Sequence, residues 1–357
     1  MTALTTRLGI AYPIIQAPML GVSNPALAAT VSNAGGLGSV GISASTPEQA
    51  TAMIAEIRAL TDKPFNVNMF CHRPEVANAA TEAAWLAHMK PWFDEFGATP
   101  PSPLASPYYT LVDNDAMVDA LVAAAPPVLS FHFGLPSADA IAALKAAGIV
   151  LFASATTLAE ALQVEAAGID VIVAQGTEAG GHRGVFDPEH GDAGIGTFAL
   201  TRLIAAKTAV PVVAAGGIMD GQGIAAALTL GAQAAQLGTA FILTPESSAN
   251  AAYRDALQSA RALRTGLTAA ISGRSARGIV NRFHLEVGGP TAPTIPDYPL
   301  PYHAGKALVA AAVAKGNHDF SVQWAGQAAG LARALPATEL VQTLVAETRA
   351  AQQAQAI

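Results

Sequence analysis

Eight short apolar runs, spaced so that a helix fits in most of the gaps between them, constrain this chain more than any other feature. The first, Tyr12-Pro-Ile-Ile-Gln-Ala-Pro-Met19, reads as a strand and its loop. The others occupy residues 38–42, 65–70, 128–133, 149–154, 170–175, 210–215 and 234–241. Short, mostly apolar runs of this length mark strands covered on both faces, the situation of a parallel sheet. The gaps carry helix punctuation. Asn24-Pro25 supplies an N-cap and a proline at the first helical position, and Asn33-Ala-Gly-Gly36 a C-terminal stop. Thr46-Pro47 opens a second helix, through about Leu60. Ser137 starts another that ends near Gly148, and Thr157-Leu-Ala-Glu160 matches a capping box. Eight strands with intervening helices predict a closed parallel (β/α)8 barrel of the α/β class, a TIM barrel. An open doubly wound sheet is the competing topology. The count of eight, and the glycine loops after the last two strands, favour the barrel.

Two segments exceed a minimal barrel. Residues 72–110 hold Trp85, Trp92 and a proline-rich stretch, and are expected to form a helix plus an ordered loop over the barrel mouth. Residues 244–325 begin as helix and become rich in glycine and proline around 288–293; they are expected to form a small cap domain. A final helix over 337–350 returns to close the barrel. The expected division is therefore residues 1–243 and 326–357 for the barrel and 244–325 for the cap. Residues 221–245 carry no charge, but Gly231, Gln233, Gln236 and Gly238 interrupt them. A buried helix followed by a buried strand explains them better than a membrane span.

Composition narrows the partners. The chain is 52% hydrophobic and 13% charged, with a formal charge of −7. That balance disfavours nonspecific nucleic-acid binding and docking on anionic membranes. The single cysteine, Cys71, excludes an internal disulfide and fits a reducing cytoplasm. No basic segment followed by a long apolar core opens the chain, so no signal peptide is expected.

Active sites of such barrels lie at the C-terminal ends of the strands. The run 170–175 ends in Gly176-Thr-Glu-Ala-Gly-Gly-His-Arg-Gly184, a loop with four glycines around His182. Glycines let a backbone approach a ligand closely, and histidine exchanges protons near neutral pH. Other strand ends present Met19, Asn68, His132, Gln175, Gly217 and the run Gln236, Leu237, Gly238, Thr239. Backbone amides of Gly217, Gly238 and Thr239 can grip a phosphate, with the helix starting near Asp220 adding its dipole. Asn68 and Gln175 suit the edge of a flat heterocycle. Neither phosphate loop holds Lys or Arg, and no strand–GxGxxG–helix unit is visible, so flavin mononucleotide (FMN) is favoured over a dinucleotide. Each of these residues alone reads equally well as structural, and His132 reads more simply as a hydrogen-bonded core residue. Their joint placement at successive strand ends favours function. No metal is expected: His182, Asp187, His190 and Asp192 follow no usual ligand spacing, and 187–192 reads as a solvated turn. No G-x-S-x-G elbow supports a serine hydrolase.

Ile15-Gln-Ala-Pro-Met19, Phe65-Asn-Val-Asn68, the glycine–histidine loop, Ala214-Ala-Gly-Gly-Ile218 and Gln236-Leu-Gly-Thr239 resemble the nitronate monooxygenases, formerly called 2-nitropropane dioxygenases. Ser272-Gly-Arg-Ser-Ala-Arg277, Tyr298, Tyr302, Lys306 and Trp324-Ala-Gly-Gln327 resemble the bacterial class I members. The resemblance covers nearly the whole chain, although the glycine–histidine loop is shared with flavin-dependent enoyl-ACP reductases. It implies an FMN-binding barrel with a cap, the flavin touched by Met19, Asn68, Gln175, Gly180, Gly217, Gln236, Leu237, Gly238 and Thr239. It implies His182 as catalytic residue, with His132, Tyr298, Tyr302 and Lys306 around the substrate. Lys306 is expected to open an alanine-rich helix. The implied reaction is detoxifying oxidation of an alkyl nitronate, such as propionate 3-nitronate, with O2 to a carbonyl product plus nitrite or nitrate. The alternatives are an NAD(P)H-dependent flavin reductase of the enoyl-ACP type and a non-catalytic flavin-binding barrel. Either a monomer or a homodimer is compatible with the sequence.

Overall fold

Each apolar run becomes a strand, and the strands close on one another. The computed structural model describes residues 2–354. Its strands are β1 (Ile14–Gln16), β2 (Gly38–Gly41), β3 (Phe65–Phe70), β4 (Val128–His132), β5 (Val150–Ala155), β6 (Val171–Gln175), β7 (Gly181–His182), β8 (Val212–Ala215), β9 (Ala234–Leu237), β10 (Thr265–Thr268) and β11 (Ala276–Ile279). Eight of them pair in parallel in the order β1-β9-β8-β6-β5-β4-β3-β2. The seam between β1 and β2 is bridged at Ile15 and Leu37. There Leu37 N donates to Ile14 O and Gln16 N to Leu37 O, both at 2.9 Å. The fold is a TIM barrel.

Alternation along the strands decides what fills it. Val128, Phe152, Val171, Val173, Val213 and Ala234 meet in one buried cluster with Leu4 and Leu8. Those two leucines belong to a short helix, Ala3–Leu8, that plugs the N-terminal end of the barrel. Further along four of these strands the inner face turns polar: Ser130 and then His132 after Val128, Ser154 after Phe152, Gln175 after Val173, Gln236 after Ala234. The apolar layer seals one end and a polar layer lines the other. The six-residue helix is too short to carry a readable apolar period, so no local pattern marks it.

The run over 234–241 does not stay extended. Strand β9 ends at Leu237, and Thr239–Phe241 form a 3-10 turn beyond Gly238. The uncharged stretch resolves into the helix Gly221–Thr229 followed by β9. Among the described residues no helix is long and apolar enough to cross a membrane.

Residues 72–110 supply the helix Ala79–Glu95. Its Trp85, Met89 and Phe93 share a core with Phe283, Leu300, Tyr302 and Leu308, so this segment packs on the one that follows β9. That later segment holds the hairpin β10–β11, whose second strand pairs antiparallel with β7 in the glycine–histidine loop. It also holds the helix Leu300–Ala314. Lys306 therefore stands inside a helix and does not open it. The Pro299-Leu-Pro301 run starts that helix early, because a proline in the first turn has no N–H to lose.

Candidate active site

The polar layer opens into a cavity of about 580 Å³, a size usual for small-molecule sites. Met19, Asn68, His132, Gln175, Gly180, His182, Gly217, Gln236, Gly238, Thr239, Tyr302 and Lys306 all line it. Leu237 and Tyr298 do not. Leu237 alternates with Gln236 and so points outward, into a core with Ile14, Ile224 and Leu340. Tyr298 stands one layer back, its ring 5.6 Å from that of His182 and its hydroxyl buried without a partner.

Most of the glycine–histidine loop is held by its own polar groups. Gln175 Oε1 accepts from Gly184 N at 2.7 Å and from the Arg183 guanidinium at 3.0 Å, while Nε2 donates to His182 O at 2.9 Å. One N–H of that amide is left for a ligand. Arg183 is fully buried, and it also donates to Gln175 O and Gly176 O. Its counter-ion is Asp192, 2.6 Å away. The 187–192 segment is thus more than a solvated turn: Pro188–His190 are exposed, but Asp192 neutralises a buried charge. Glu178 caps the helix Thr197–Ala205, accepting from Thr197 N at 2.7 Å and Thr197 Oγ1 at 2.8 Å. Asn68 gives both amide hydrogens to Ser130, at 3.1 and 3.0 Å, which leaves its oxygen as an acceptor on the cavity wall.

The two histidines are linked. His132 Nδ1 lies 2.9 Å from Ser154 Oγ, and Nε2 lies 3.1 Å from His182 O. Burial, helped by the Arg274 charge and opposed by the bond to His182 O, pushes the His132 pKa down to about 4. His182 Nε2 lies 2.8 Å from Ser272 Oγ. Its Nδ1 has no hydrogen-bond partner among the described residues and is not one of the sealed polar atoms, so it opens on the cavity. Burial, then the neighbouring His132 and Arg274, push the His182 pKa down to about 3. Both imidazoles are neutral near pH 7, and His182 offers an open ring edge.

The amides of Gly217, Gly238 and Thr239 donate to nothing among the described residues. Gly217 has φ +70°, and Gly216, at φ +122°, has no room for a Cβ, which would lie 2.7 Å from Thr197 Oγ1. The expected helix dipole contributes less. Gly221 N already donates to Glu347 at 2.9 Å and Gly223 N to Asp220 at 2.8 Å, so two carboxylates answer that helix end. Free loop amides at one end of the cavity, and an acceptor and a donor from Asn68 and Gln175 along its wall, fit a flat heterocycle with a phosphate tail.

Lys306 Nζ lies 4.7 Å from the Tyr108 ring centroid and 5.1 Å from that of Tyr302, and makes no salt bridge among the described residues. Partial burial draws its pKa down. Tyr302 stands between this ammonium and His182, whose ring centroid is 6.2 Å from its own. Burial pushes the Tyr302 hydroxyl up, so it remains a donor. Ser154, Tyr108 and Ser272 were not read as site residues from the sequence. Ser272 lies 90 positions from His182, and no local pattern joins them. Among the described residues no cluster of His, Cys, Asp or Glu suits a metal ion.

The family model described as "Nitronate monooxygenase" matches residues 1–347. A nitronate monooxygenase of Pseudomonas aeruginosa is 61% identical over 350 residues, spanning 98% of this chain and 100% of that protein. The solved structure of a nitroalkane oxidase from Streptomyces ansochromogenes is 41% identical, with a TM-score of 0.90 over 99% of each chain. FabK from Thermotoga maritima is 28% identical, with a TM-score of 0.75 over 99% of this chain and 98% of that one.

Proposed function

The chain belongs to the nitronate monooxygenase family, and on that premise we propose that it is an FMN-dependent enzyme for short alkyl nitronates. A substrate such as propionate 3-nitronate is oxidised with O2 to a carbonyl product plus nitrite or nitrate. One observation carries this reading: a neutral imidazole with an open nitrogen and an ammonium that makes no salt bridge among the described residues flank the same tyrosine in one cavity.

Met19, Asn68, Gln175, Gly180, Gln236 and the free amides of Gly217, Gly238 and Thr239 are the groups that would hold the mononucleotide. When bound, the flavin supplies the acceptor for the substrate's electrons and the place where O2 is engaged. The protein's own groups bind and orient. A nitronate is an anion, so Lys306 Nζ and the Tyr302 hydroxyl hold its oxygens by charge-assisted hydrogen bonds. A neutral nitroalkane must first lose a proton from carbon. His182 Nδ1 takes it: the C–H bond breaks, an N–H bond forms, the C–H pair becomes the C=N bond of the nitronate, and the N=O π pair moves onto oxygen as the negative charge. The aromatic rings of Phe133, Tyr298 and Trp324, with centroids 5.3–5.7 Å from that of His182, pack around the imidazole and hold its orientation.

Two measurements test this. Chromatography of the chromophore released on denaturation should show FMN; FAD, or no flavin, refutes the cofactor assignment. His182→Asn should lower kcat/KM for a nitroalkane by on the order of 10²- to 10⁴-fold, and much less for the matching nitronate. Equal losses on both would remove His182 as a base on carbon. Rapid flavin reduction by NADH without oxygen uptake on nitronates would replace the oxidase reading with the reductase one.

A further inference from the structure

We propose that Ser272 is a positioning residue that selects the tautomer of His182, so that the Nδ1 lone pair and not an N–H faces the cavity. The proposal rests on the reading of His182 as a base and deepens it.

The turn that carries Ser272 is fixed to the loop that carries His182. Ser272 lies between β10 and β11 and is fully buried. Strand β11 pairs with β7, Ala276 opposite His182, and Arg183 N donates to Ser275 O at 2.9 Å. Ser272 N and Gly273 N both donate to Ala269 O. Gly273 has φ +94°, and a Cβ there would lie 2.9 Å from Pro296 O and 3.0 Å from Tyr298 N. The position therefore demands glycine, and the serine before it has little freedom.

The partners of Ser272 Oγ then settle the proton. Three groups surround it: His182 Nε2 at 2.8 Å, Arg274 O at 3.2 Å and Arg274 N at 3.4 Å. A hydroxyl has one hydrogen to give. Arg274 O can only accept, and no other group among the described residues donates to it. Given to Arg274 O, the hydroxyl hydrogen satisfies that carbonyl and leaves Oγ to accept from His182 Nε2–H. Given to His182 Nε2, it would leave Arg274 O without a donor and facing an Oγ lone pair. The first arrangement satisfies every group; the second strands a carbonyl in a buried turn.

The companion histidine is held in the same tautomer, but by a serine on its other nitrogen. His132 Nε2 must donate to the carbonyl His182 O, so its Nδ1 accepts from Ser154. The two serines thus play opposite parts: Ser154 donates to one ring and Ser272 accepts from the other. With Nε2–H committed to Ser272, Nδ1 is the only basic atom His182 presents. When it takes the substrate proton, the Nε2–H bond to Ser272 persists and holds the imidazolium in place.

The test uses flavin-loaded protein labelled with ¹⁵N-histidine near neutral pH, with the His182 signals identified by their loss in His182→Asn. The parent should show Nδ1 in the unprotonated range and Nε2 in the protonated range. Ser272→Ala should move population toward protonated Nδ1 and lower nitroalkane kcat/KM on the order of 10²-fold more than nitronate kcat/KM. Ser272→Thr, which keeps the hydroxyl, should restore the parent tautomer and ratio. A protonated Nδ1 in the parent overturns the proposal even if no variant folds. So does Ser272→Ala with the parent tautomer and the parent substrate ratio. A parent with the expected tautomer but no nitronate turnover would support this proposal while refuting the proposed function.

Discussion

Gly217→Ala tests the phosphate loop, and Gly9→Ala calibrates it. The two glycines have φ of +70° and +71°, the same left-handed region. An alanine in that region costs roughly 1 kcal/mol wherever it stands. At Gly9 an added Cβ meets nothing within 4 Å. At Gly217 it lies 3.2 Å from Glu178 Cβ, so one of them must give by a few tenths of an ångström. Glu178 cannot yield freely, because its carboxylate holds Thr197 N and Oγ1. The strain is therefore relieved by turning the Gly217 peptide, which carries one of the free amides. A hydrogen bond to a charged group is worth about 1.5–3 kcal/mol, so losing it weakens flavin binding roughly 10- to 100-fold. Gly9→Ala should lose about 1 kcal/mol of stability in urea titration and bind FMN like the parent. Gly217→Ala should lose slightly more stability and show the weaker Kd, read from the recovery of flavin fluorescence on dissociation. Equal flavin affinity in both variants would exclude Gly217 from the cradle.

Two other outcomes follow from the site's charges. Lys306→Met should raise KM for propionate 3-nitronate up to about tenfold, because the ammonium makes no salt bridge among the described residues and can pair with the anion; an unchanged KM would place the anion elsewhere. Stability of the flavin-free protein should fall as pH drops below 6.5. His132 and His182 stay neutral in the fold down to about pH 4 and 3, while the unfolded chain takes up protons at its ordinary histidine pKa of 6.5. The loss should reach a few kcal/mol between them by pH 5, read as a falling urea midpoint. A flat midpoint from pH 7 to 5 would show that neither ring is held neutral.

The sequence by itself determined the barrel. Its eight apolar runs have strand length, and Asn24, Thr46, Ser137 and Thr157 each cap the helix they were read to open. These are local signals: a cap and its helix lie within four residues, and apolar period 2 or 3.6 is written in consecutive positions. The same locality placed Asn68, His132, Gln175 and Gln236 at strand ends and hence around one cavity. It could not separate Gln236 from Leu237, because which of two neighbours faces inward depends on the barrel's closure. It placed Lys306 at a helix start, when the helix had already begun at Leu300. It read Asp192 as solvated, because nothing local shows that Arg183 turns inward and needs a counter-ion. Above all, the pairing of β7 with β11 joins residues about 90 positions apart, and only that pairing brings Ser272 to His182. The sequence supplied the imidazole; the tertiary structure decided its neutrality, its partner and which nitrogen opens on the cavity. Burial and long-range hydrogen bonding set those properties, and neither has a period along the chain.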